Sequence, residues 1–144
     1  MRCGLALFFC TLLFLSSGCA FHRHAYSARR VQQDAARSAA LHWLALLDHG
    51  DYADAFEWEA QDFRMARTQA QFVRYLQARR APFGRSLGRK LIAAGNVRKF
   101  VGVPEGNYVS ILFKTQFENK SDTAERVILV QQPIGWRVLD YRIY

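Results

Sequence analysis

The chain has 144 residues, with 20 Lys and Arg against 12 Asp and Glu, and is 51% hydrophobic. That is too apolar for wholesale disorder and fits one folded domain rather than two. Its three cysteines, Cys3, Cys10 and Cys19, all fall within the first 19 residues, so the body can form no internal disulfide, no cysteine-based zinc site and no cysteine nucleophile.

Arg2, an apolar stretch from Leu5 to Leu15 broken only by Thr11, and then Ser16, Ser17 and Gly18 have the form of an export signal. The stretch is shorter than the roughly 20 residues that a spanning helix needs. The run LFLSSGC resembles the lipobox of bacterial lipoprotein precursors, although Ser16 stands where that family usually carries leucine. The resemblance implies a signal peptide over 1–18 and a lipid on Cys19, and it leaves a mature part of 126 residues with 19 basic and 12 acidic side chains. Lipidation would also remove the liability of a lone exported thiol. Ala20, rather than an aspartate, follows the cysteine. In a Gram-negative host this implies an outer-membrane lipoprotein facing the periplasm, with ordinary secretion as the alternative. Residues 19–30 lack an apolar period and are expected to be a lipid-anchored tether. His22 and His24 within it provide no full metal-ligand set.

The single domain is expected over 31–144. Ala36, Ala40, Leu44 and Leu47, with Ala39, Trp43 and Leu46, recur at helical spacing from Val31 to Leu47. Gly50 can end this helix in a left-handed conformation, and Asp51 can cap a short second helix over Tyr52 to Glu59. Thr68 and Gln71 form a capping-box pattern that opens a third helix through Arg80, with Phe72, Val73, Leu76 and Tyr75 on its apolar face. Pro82 and Gly84 turn the chain into a broken strand between Leu87 and Phe100, with Leu91 and Ala93 on one face and a bend near Gly95 and Asn96. Val109, Ile111, Phe113, Thr115 and Phe117 alternate with polar residues in a second strand. Glu125, Val127, Leu129 and Gln131 share a face of a third, and Trp136, Val138 and Asp140 alternate with Arg137, Leu139, Tyr141 and Ile143 in a fourth. Connections this short make the strands antiparallel. The expected class is α+β: N-terminal helices packed on a curved four-stranded antiparallel sheet.

Three stretches, ALHWLALLDHGDYADAFEWEAQDFR, RRAPFGRSLGRKL and GNYVSILFKTQFENKSDTAERVILVQQPIGWRVLDYRI, resemble the DUF4019 family of exported bacterial proteins. The resemblance implies an NTF2-like or cystatin-like cone but brings no activity with it, because such cones serve as enzymes, ligand binders and purely structural domains alike.

Charge is segregated along the chain. Residues 48–62 hold six acids and no Lys or Arg, whereas residues 63–104 hold ten Lys and Arg and no acid. Either the two runs neutralise each other internally, or the bases, among them Arg79, Arg80, Arg89 and Lys90, form a surface for anionic lipid or lipopolysaccharide. Export and the lack of a recognition motif argue against nucleic acid, despite Phe72, Tyr75 and Phe83 lying near bases. His42, Asp54, Tyr108 and Asp140 are the titratable candidates on predicted elements. Their spacing makes no dyad, and no residue is assigned as catalytic. Trp43, Phe56, Trp58, Phe113, Phe117 and Trp136 suffice to build the core, each tryptophan keeping a polar contact through its indole nitrogen. If the cone is incompletely filled, Arg85, Tyr108 or Arg137 could provide polar discrimination for a small ligand. The expectation is a noncatalytic envelope lipoprotein that binds a protein partner or small ligand near the membrane, without metal or cofactor. A small enzyme with an acid/base pocket is the alternative.

Overall fold

In a computed structural model, residues 18–99 and 102–144 are described. Residues 1–17, which hold most of the expected export signal, and residues 100–101 therefore lie outside the described part, and the side chains of 18–26, including Cys19, His22 and His24, do as well. Four α-helices, α1 (Gly18–His49), α2 (Tyr52–Glu57), α3 (Gln61–Ala66) and α4 (Gln69–Arg80), and a 3-10 turn at Ala81–Phe83 precede four strands. These are β1 (Ser86–Val97), β2 (Tyr108–Phe117), β3 (Thr123–Gln132) and β4 (Gly135–Ile143), joined in the order β1-β2-β3-β4 with every pair antiparallel. The α+β expectation holds. The segment expected to be a tether is part of α1, which runs helical from Gly18 instead of starting near Val31. Among the described residues, no helix is long and apolar enough to cross a membrane.

Helix α1 buries Ala36, Ala40, Trp43, Leu44 and Leu47 against the sheet, the three-and-four spacing of an amphipathic helix. Gly50 then turns the chain at φ +87°. The Asp51 side chain makes no capping bond to α2, whereas at α4 the capping box forms in full between Thr68 and Gln71. Helix α4 buries Phe72, Leu76 and Arg80, one residue per turn, and leaves Tyr75 exposed. The sheet's helix-facing side presents Val109, Ile111, Phe113, Phe117, Val127, Leu129, Val138, Tyr141 and Ile143 to these helices as one continuous core.

Three irregularities change which residues share a face. In β1 the register shifts past Leu87 and past Ile92, not near Gly95, so Leu91 pairs with inward Phe113 while Ala93 pairs with outward Leu112. In β4 the shift at Leu139 puts Leu139 and Asp140 together on the outer side and returns Tyr141 and Ile143 to the core side. A bulge inserts one residue and so flips the alternation beyond it. Helix α3 is the element the sequence pattern lacked. Ala60 N donates to Val138 O (2.8 Å), and Val138 N donates to Trp58 O (2.8 Å). Residues 58–60 thereby cover part of the free edge of β4, and Phe63 reaches a second, smaller core of Ala60, Tyr108, Ile128 and Leu139.

Candidate functional site

The helix-facing side of the sheet contains a cluster of ionic side chains. Glu125 on β3 is fully buried and its carboxylate accepts four hydrogen bonds. Arg80 Nη1 (3.0 Å) and the Tyr141 hydroxyl (2.6 Å) reach Oε1, while Arg89 Nε (2.7 Å) and the Thr115 hydroxyl (2.6 Å) reach Oε2. Asp48, in the last turn of α1, accepts from both guanidiniums, from Arg89 at 2.9 and 3.2 Å and from Arg80 through Nη2, while Arg80 Nη1 also donates to the Tyr141 hydroxyl at 3.0 Å. Two cations thus meet two carboxylates, and six elements contribute: α1, α4 and all four strands. Burial opposes the charge on Arg80 and Arg89, but the surrounding acids, and Tyr141 beside Arg80, hold both guanidiniums above their ordinary range. Burial and the charge of Glu125 push the Tyr141 hydroxyl up, so it stays a proton donor. Glu125, fully buried and accepting four hydrogen bonds, is held as a structural carboxylate rather than presented to an open cavity.

A second buried carboxylate, Glu59, is 4% exposed at the covered edge of β4. Burial raises its carboxyl above the ordinary value, and Arg67 partly offsets this through bonds of 2.5 and 3.2 Å. Arg67 lies over the rings of Phe72 (5.1 Å) and Tyr75 (5.7 Å). Beside this pair is a cavity of about 110 Å³, lined in part by Phe63, Tyr75, Leu139 and Asp140. On the sheet's outer side a larger, open groove of about 580 Å³ runs over β1, β2 and β3 between Ala93, Gly95, Val97, Ser110, Leu112 and Ala124, with Arg126 and Tyr144 at its border.

The residues singled out from sequence are dispersed by the fold. Arg85 is largely exposed and paired with Glu118, which raises the guanidinium and lowers the carboxyl. Tyr108 lies at the other end of β2, about 30 Å along the strand. It is buried in the second core, and its hydroxyl donates to Pro104 O (2.6 Å). Arg137 lies over the ring of Trp58 (5.2 Å) and shares the cross-strand neighbour Val130 with Tyr108. Two of these three therefore meet at one end and Arg85 does not. The four bases grouped as an anionic contact are likewise separated. Arg79 is on the exposed side of α4, Lys90 is on the outer face of β1, and Arg80, buried, and Arg89, half-buried, turn inward to Glu125 and Asp48. The last two are corrected to internal partners, because their side of each element faces the core. The acidic and basic runs neutralise each other in part through Asp48 with Arg80 and Arg89, Glu57 with Arg64 at 2.9 Å, and Glu59 with Arg67.

Among the titratable candidates, His42 stacks on Trp58 (4.4 Å) at the surface, Asp54 is exposed, and Asp140 pairs with Arg142 (3.1 Å) and Arg126 (3.7 Å). No group of three or more potential metal ligands occurs among the described residues. Trp43 donates its indole N–H to Ala55 O (3.0 Å), the polar contact expected of a core tryptophan. Glu125, Arg80 and Arg89 were missed as a unit, although each carried a signal: a charged side chain in phase with apolar neighbours, Val127 for Glu125, Leu76 for Arg80 and Leu91 for Arg89.

The family model described as "Protein of unknown function (DUF4019)" matches residues 39–141, a span that runs from the middle of α1 nearly to the end of β4 and includes the whole buried cluster. The chain belongs to the DUF4019 family. No curated protein matches it. Residues 18–38 of α1 lie ahead of the DUF4019 match, so the packed domain and the family unit begin within a few residues of each other, near Ala36 and Ala39.

Proposed function

We propose that this DUF4019 protein is a noncatalytic binding module of the bacterial envelope, carried on a lipid at Cys19, and that its working surface is the outer face of the sheet. The observation that carries this reading is the contrast between the two faces. The inner face is filled by helices, and its ionic groups are saturated by one another. The outer face keeps an open groove of about 580 Å³, within the size range of ligand sites. Glu59 supports the catalytic alternative less well, because Arg67 holds both of its oxygens beside a cavity of only about 110 Å³.

Two experiments test the two halves. A photoreactive residue at Leu112 should form adducts in intact cells, whereas one at Ala78 on exposed α4 should not; equal yields, or none from Leu112, would refute the surface assignment. Mass spectrometry of the mature protein should find a diacylglycerol-bearing Cys19 that Cys19→Ala abolishes. An unmodified mature N-terminus in the wild type would place the protein among secreted or soluble periplasmic ones.

A further inference from the structure

We propose that the outer-face groove takes a single apolar chain ending in a carboxylate, the chemistry of a free fatty acid. This rests on the outer face being the binding surface and adds what that surface recognises. The register places Lys90 directly opposite Lys114 and Arg126 directly opposite Arg142. Lys114 is also opposite Ala124, and Arg126 opposite Leu112, so the two like-charge pairs occupy neighbouring rows across the sheet. Directly opposed like charges destabilise a strand pair.

The acids on this face do not balance them. Asp122 serves Lys114 at 3.0 Å, and Asp140 is divided between Arg142 at 3.1 Å and Arg126 at 3.7 Å, which gives two carboxylates for four cations. Arg126 Nε is shielded from solvent and has no acceptor, and a buried donor without a partner is costly. One carboxylate seated between the Lys114 and Arg126 rows would accept from that N–H and relieve both opposed pairs. Arg126 is the cation that lines the groove itself, and past its row the lining is Gly95, Ser110 and Val97, without charge. Charge at one end and apolar surface along the rest match an amphiphile better than a polyanion, which would require cations along its whole length.

Calorimetric titration of the full chain carrying Cys19→Ser with laurate and with dodecanol tests the proposal. Laurate should bind saturably at one site, and dodecanol, with the same chain length but no charge, about tenfold more weakly. Arg126→Gln should erase that difference and, since it removes one of two opposed cations, should not lower the thermal unfolding midpoint. Gly95→Leu should abolish binding of both, since a Cβ there meets no atom within 4 Å and points the added side chain into the groove rather than into the core. Absence of saturable laurate binding, equal affinity for the two ligands, or an unchanged preference in Arg126→Gln would overturn the proposal. So would binding to phosphatidylglycerol vesicles that survives Gly95→Leu, which would assign the cations to a membrane surface. If laurate fails while Leu112 still forms adducts in cells, the ligand class is wrong and the binding face stands; if both fail, both readings fall.

Discussion

Replacing Glu125 by glutamine changes almost no volume, yet it should be among the most damaging single substitutions in the molecule. The carboxylate accepts four hydrogen bonds, at 2.6, 2.6, 2.7 and 3.0 Å. A glutamine amide keeps one oxygen and presents an NH₂ to the donors on the other side, so two of the four donors lose their acceptor. Asp48 would then be the one carboxylate left to face Arg80 and Arg89. Charge-assisted hydrogen bonds are worth about 1.5–3 kcal/mol each, and removing one partner of a buried ionic group costs about 3–5 kcal/mol. A loss of about 4 kcal/mol is therefore expected, a large part of the roughly 5–15 kcal/mol typical of a domain. It should lower the melting midpoint by roughly 12–20 °C. Urea unfolding followed by tryptophan fluorescence and circular dichroism is the assay, with Arg85→Gln as the control because the Arg85–Glu118 pair is held at the surface. The control should leave the midpoint where it is. A Glu125→Gln midpoint indistinguishable from that of Arg85→Gln would refute the assignment of the cluster as the centre of stability. The quadruple change Glu125→Leu, Arg80→Met, Arg89→Met and Asp48→Asn, which removes the charges together, should recover part of the loss, since apolar replacements of buried ion groups are often tolerated.

Glu59 should behave in the opposite sense with pH. Its carboxyl is held above the ordinary 4.5 by burial. Between that value and the raised one, the folded state binds more protons than the unfolded state, so stability is greatest below the window and falls as pH rises through it. Glu59→Gln has no proton to lose and should flatten that fall; unfolding free energies that decline with the same slope in both proteins would refute the assignment. Gly84 sits at φ +73°, ψ −158°, and a Cβ there would lie 3.1 Å from Glu118 Cβ and Oε2. Gly84→Ala should cost about 1–3 kcal/mol in the same unfolding assay, whereas Gly88→Ala, with open space around it, should not reproduce that loss.

Where a local physical rule governs, the sequence was legible. Thr68 and Gln71 closed their capping box, Gly50 took positive φ, and the β2 alternation from Val109 to Phe117 became one side of the core. The bulges were hidden because neither Leu87, Ile92 nor Leu139 is a residue that announces one; Gly95 drew attention instead and lies in regular pairing. Helix α3 is six residues long, too short to show a period, and it is placed by the backbone bonds of Trp58 and Ala60 to β4. The charge runs were visible, but their pairing was not. Arg80 and Glu125 are 45 residues apart, and which bases turn inward depends on helix phase and on the strand faces that the bulges set. Of the outer groove the sequence offers one fragment, Leu112, an apolar residue among the polar positions of β2.

The buried cluster also fixes how the strands can slide. Glu125 is flanked by Ala124 and Arg126, and a strand displaced by one residue turns every side chain to the other face. Slipping β3 in one direction would bring Arg126 against Arg80 and Arg89, placing three guanidiniums in one dry site. Slipping it in the other would leave those two arginines facing a methyl group. Neither misalignment has an acceptor on β3 to offer, which leaves both arginines to Asp48, so one glutamate on β3 favours a single pairing for the central strands and, with it, the row of opposed cations on the far side of the sheet.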